Sequence, residues 1–86
     1  MLLCVELYVA VDFDPDALLT PETRRETGAR IFTREGAIRA GLGGLPEPRA
    51  GGDVRYILVE AAHRRWIERA LEANHAVDGY DVHEVG

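Results

Sequence analysis

Glu22 and Glu26 stand four residues apart, so any helix that contains both presents them on one face. Like-charge coupling between two such carboxyls favours one holding its proton, which suits general acid or base work. Arg25 and Arg30 are near enough in sequence to pair with them, and the plainer reading is a solvated acidic face. Arg39 is the cation placed to grip a substrate carboxylate in a bidentate fork, although the chain has ten arginines and a surface arginine is the commoner case. Tyr8, Tyr56 and His83 are candidates to line a pocket around these groups, with cross-strand packing the plainer role for the two tyrosines. His83 becomes a candidate general base only if its strand turns it toward that pocket. A base, an anion clamp and a water-excluding site together suit a proton shift next to a carbonyl.

Other chemistries are closed off by composition. The 86 residues include no Ser, Lys or Gln, and every basic residue is Arg. That removes a Ser-His-Asp nucleophile, a Schiff-base lysine and a P-loop lysine. One cysteine, Cys4, makes no intramolecular disulfide and no multi-cysteine zinc site, and no base precedes Arg24 to activate it. His63, His75 and His83 lack metal-ligand spacing, so no metal and no cofactor is expected. The early acids Glu6, Asp12, Asp14 and Asp16 are too sparse for a calcium loop and read as a solubilising excess. A net charge of −5 argues against nucleic-acid or membrane partners. The start of the chain has no basic region ahead of an apolar run, and no run approaches the roughly 20 residues of a membrane span, so a cytoplasmic protein is expected.

These side chains need elements to position them. Residues 2–12 alternate, with Leu3, Val5, Leu7, Val9 and Val11 on one parity and Cys4, Glu6, Tyr8, Ala10 and Asp12 on the other. That predicts a half-buried strand whose second face is mixed. Asp14-Pro15 and Thr20-Pro21 are cap-then-proline pairs that start helices, and a helix is predicted over about 16–34, closed by Gly36. A short strand over 37–42 follows, then a mobile surface loop over 43–52, which contains four of the nine glycines and two of the four prolines. Residues 53–60 read as a strand and 77–85 as the last one. Between them Ala62, Trp66, Ile67, Ala70 and Leu71 mark the clearest helix, over 61–74, with Trp66 in its core stripe. The order βαββαβ in a single domain over 1–86 predicts a ferredoxin-like α+β fold, an antiparallel sheet with both helices on one face.

The opposite sheet face then carries Cys4, Glu6, Tyr8 and Ala10. It is joined by Tyr56 and Leu58 or by Ile57 and Val59, and by Tyr80 and Val82 or by Asp81, His83 and Val85. Such a face is too apolar for plain solvated surface and too polar for a dry core. A homo-oligomer through the sheet is expected, with either a small-ligand pocket or a simple interface between two such faces.

Met1-Leu2-x-x-Val5 opening the strand, Asp14-Pro15 after it, Arg34-Glu35-Gly36 and Arg39 together resemble the muconolactone isomerase family, and the layout from Tyr56 through Val85 is similar. By ungapped count the family's first-helix acid falls on Arg25, with Glu26 beside it and Glu22 a turn back. The resemblance implies a dimeric α+β barrel that moves a proton on a small lactone carboxylate without cofactor or metal. The function expected is therefore a small-molecule isomerase or cyclase acting on a carboxylated lactone or polyketide-like ligand in an inter-sheet pocket. In it Glu26 or Glu22 is the base and Arg39 the clamp. The alternative is a non-catalytic ferredoxin-like module that binds a ligand or a protein.

Overall fold

A computed structural model of the protein describes residues 1–42 and 53–85. The glycine- and proline-rich loop expected over 43–52 lies outside the described residues. The described elements run β1 (Leu2–Val9), α1 (Pro15–Leu18), α2 (Pro21–Thr27), β2 (Arg30–Thr33), α3 (Arg34–Arg39), β3 (Asp53–Glu60), a 3-10 turn (Ala61–His63), α4 (Arg64–Ala73) and β4 (Val77–Glu84). The four strands form one antiparallel α+β sheet in the order β2-β3-β1-β4. Among the described residues no helix is long and apolar enough to cross a membrane.

The two cap-then-proline pairs both start helices. Asp14 accepts from the backbone N–H of Asp16, Thr20 accepts from that of Thr23, and each is followed by proline at the first helical position. They start two short helices, however, in place of the single helix expected over 16–34. Gly28 ends α2 in the left-handed region, with φ of 70°, where a side chain would be strained. The chain then becomes β2, with Ile31 packed toward one sheet face and Phe32 toward the other, the period-two signature that a helical reading of Ile31 and Phe32 passes over.

Residues 37–42 are likewise not a strand. Thr33 caps α3 by accepting from the N–H of Gly36, Glu35 lies in its first turn and Arg39 in its last, matching the helix dipole at both ends. Gly36 therefore lies inside a helix. The stop comes at Gly41, with φ of 86°.

One face of the sheet packs against α1 and α4. Leu3, Val5, Leu7 and Val9 join Ile57 and Val59, and are covered by Leu18, Leu19, Ile67 and Leu71. Val11 was expected in this set, but β1 ends at Val9 and Val11 is 97 % exposed. Trp66 also leaves the expected stripe and is 36 % exposed. Within α4 the buried stripe falls on Ile67 and Leu71 with Ala70 beside it, and Trp66 lies at its edge.

Candidate functional site

The ladder decides which side chains share the second sheet face. Cys4, Glu6 and Tyr8 of β1 lie opposite Leu58, Tyr56 and Val54 of β3, and opposite His83, Asp81 and Gly79 of β4. Since alternate residues point the same way, these side chains form one surface. The parity left open by the sequence is thereby settled: Tyr56 and Leu58, with Asp81 and His83, share the face of Glu6. The middle of that face is closed within the chain by α3, whose Ala37 packs with Cys4, Tyr8, Val54 and Tyr56.

Glu6 is the outlier here. It is 3 % exposed, the only charged residue among the buried ones described. Its Oε1 accepts from the Tyr8 hydroxyl at 2.8 Å, while its Oε2 is buried with no partner among the described residues. His83 Nε2 is buried without a partner in the same way. Glu6 and His83 are diagonal neighbours across the β1–β4 ladder, within the usual reach of long side chains. An unpaired polar atom in a low-dielectric interior costs about 1–3 kcal/mol, so two on one face make it the candidate site among the described residues.

Arg34 borders this group. Its Nη1 donates to the hydroxyl of Tyr56, which is fully buried. That bond uses a lone pair of the phenol oxygen and leaves the phenolic proton for another acceptor. Burial raises the Tyr56 phenol above its ordinary value. The hydrogen bond and charge of Arg34 oppose the rise, and the charge of Glu6 and neighbouring Tyr8 add to it. The phenol therefore remains a proton donor across the neutral range. Burial, and then the charge of Glu6, raise the Cys4 thiol as well, which makes Cys4 a packing residue and not a nucleophile. Arg34 also lines an open groove of about 350 Å³, together with Thr33, Glu35, Asp53, Val54 and Arg55. The groove abuts the buried group through Arg34 and Val54. Among the described residues no three His, Cys, Asp or Glu side chains gather closely enough to hold a metal ion.

The residues singled out in the sequence are thus divided. Tyr8, Tyr56 and His83 come together on the second face. Glu22 and Glu26 are exposed on α2, which contributes no buried residue, and Arg39 is exposed in the last turn of α3. Glu6 and Arg34 are the members that sequence reasoning passed over. Glu6 was counted with the acidic front of the chain, though its signal was present: an acid flanked at two-residue spacing by Cys4 and Tyr8, inside an apolar strand. Arg34 carried no signal beyond its place in Arg34-Glu35-Gly36.

A carboxylate with a free oxygen, a phenol with a proton to give, and an imidazole nitrogen without a partner can together take a proton from one atom and stabilise the charge left behind. The sequence matches no protein-family model and no curated protein.

Proposed function

We propose that this protein is a cofactor-free proton-transfer enzyme, an isomerase or cyclase acting on a carboxylated lactone or polyketide-like ligand, and that Glu6 is its base. The observation that carries the reading is the buried Glu6 carboxylate, with Oε1 held by Tyr8 and Oε2 unpartnered. In this reading Glu6 Oε2 accepts a proton from carbon, Tyr56 donates its phenolic proton toward the developing enolate oxygen, and Arg34 polarises that phenol. Glu6 then returns that proton to a second position of the ligand while Tyr56 recovers its own from the enol oxygen, and His83 lines the far side of the group. The ligand enters from the groove beside Arg34. Glu22, Glu26 and Arg39 stand outside this centre.

The strand order β2-β3-β1-β4, with α1 and α4 over the same face, supports a ferredoxin-like description. A second copy placed sheet to sheet would cover the half-exposed part of the second face along β4, around Asp81, His83 and Val85. A non-catalytic binding module is the rival reading, favoured by the complete burial of Cys4 and Tyr56 in the middle of the same face.

Solvent exchange separates the two. In D₂O, a panel of γ-lactone carboxylates and β-dicarbonyl compounds is followed by proton NMR for loss of the signal next to the carbonyl. At least one compound should exchange faster with protein than with buffer, and Glu6→Gln should slow that exchange by about 10²-fold or more. Shifted protein resonances with no exchange from any compound would leave the binding module. Exchange unchanged in Glu6→Gln would remove Glu6 as the base.

A further inference from the structure

We propose that the outer edge of β2 is a docking site for an extended acidic peptide segment of a partner protein, which adds to the sheet as a fifth strand. β2 ends the strand order, so one side of its backbone has no strand beside it among the described residues. An open groove of about 440 Å³ lies there, between the last turn of α2 and β2, lined by Arg24, Arg25, Arg30, Ile31 and Phe32 and by the backbone around Gly28. Gly28 presents no side chain to it, and nothing stands within 4 Å of where one would begin.

The charge of this edge runs against that of the chain. The protein carries −5, yet three guanidinium groups flank these few residues. Arg24 is already committed, donating to the Leu19 carbonyl and to Asp16, both at 2.9 Å. Arg25 and Arg30 are exposed, and neither side chain has a hydrogen bond or ion pair with another described residue; Arg30 stacks over the Phe32 ring at 4.9 Å. Two guanidiniums beside open backbone suit a strand that brings its own carboxylates. A second copy offering the same edge would set Arg25 and Arg30 against their own duplicates. At the other end of the sheet, β4 exposes Asp78, Asp81 and Glu84, which would repel an acidic strand. The pairing is therefore selective for β2.

The register adds a sequence preference. Arg30 and Phe32 lie on the second sheet face, Ile31 and Thr33 on the first. A strand placed beside β2 should carry acids on the parity that meets Arg30 and apolar residues on the parity that continues Ile31.

The test is fluorescence anisotropy at low salt with a labelled six-residue peptide alternating Glu and Val, read beside backbone amide shifts of the intact protein. Binding with shifts concentrated in residues 30–33 is expected, weakened about tenfold or more by Arg25→Glu or Arg30→Glu, and by N-methylation of alternate peptide amides. A Lys–Val peptide of the same length should not bind. Equal affinity for the N-methylated peptide would overturn the proposal in favour of simple charge attraction. So would shifts located away from β2, or sedimentation showing a dimer that Arg30→Glu dissociates, since a second copy would then already hold the edge.

Discussion

The two faces of the sheet are built from neighbouring residues of the same strands, and they differ in what their buried atoms are. On one face Leu3, Val5, Leu7, Ile57 and Val59 meet α1 and α4 through apolar atoms alone. One residue along the same strands, Cys4, Tyr8, Val54 and Tyr56 meet α3, and Glu6 among them has a carboxylate oxygen without a partner among the described residues. Burial by itself therefore does not distinguish core from site in this protein. What distinguishes them is whether the buried atoms have unmet hydrogen-bonding capacity. The first face is the apolar core, and the second holds the buried polar atoms that have no partner among the described residues.

That contrast can be broken most directly on the first face. Leu7 is fully buried among apolar neighbours, so Leu7→Ala should lower the unfolding free energy by about 2–5 kcal/mol, measured by urea titration. A loss below about 1 kcal/mol would mean that this face is loosely packed.

The second face should answer with the opposite sign. Glu6→Leu removes the buried carboxylate with the oxygen that has no partner among the described residues, and should raise stability by about 1–3 kcal/mol while abolishing any proton exchange. A clear loss of stability in the same titration would show that the carboxylate is a structural member of the face.

A smaller effect is expected at the helix that closes this face. Thr33→Ala removes the cap of α3 and should cost about 1 kcal/mol. Amide hydrogen exchange should rise in α3 and around Tyr56 while α4 remains protected.

The smallest effect is silent at neutral pH. The Tyr56 phenol is raised above its ordinary 10.0, chiefly by burial, and that of Tyr80 chiefly by its hydrogen bond to Glu72. A group whose folded value is raised contributes stability that is complete below the unfolded value and is lost as pH rises through the folded one. Urea midpoints should therefore begin to fall near about pH 9, where the fold holds the Cys4 thiol protonated, and fall further above about pH 10, where it holds the two phenols protonated in the same way. Tyr56→Phe should flatten that decline, and an unchanged slope would place the titration elsewhere.

Much of the fold was legible because it is written in local rules. Alternation in β1, the two cap-then-proline starts and the Ile67–Leu71 stripe need only the residue and its near neighbours. The segment from Gly28 to Leu42 was misread because its signals are short. Gly28 looks like an interruption within a helix until its left-handed φ makes it an end. Ala37, Ile38 and Leu42 suit a strand until the Thr33 cap makes the stretch helical. The site was half legible: Tyr8, Tyr56 and His83 were named, but as alternatives on strands of undecided parity.

The sequence alone determined which chemistries are closed. Without Ser, Lys or a second Cys there is no serine triad, no lysine Schiff base and no intramolecular disulfide, and that follows from composition with no geometry at all. It also determined that one face of β1 is mixed. Tertiary structure decided the rest, because a side chain's role depends on the partners that register brings opposite it. Only the pairing of Glu6 with Tyr56 and Asp81, and the seating of α3 over the same face, turn an acid from the charged front of the chain into a buried carboxylate with one oxygen unmet.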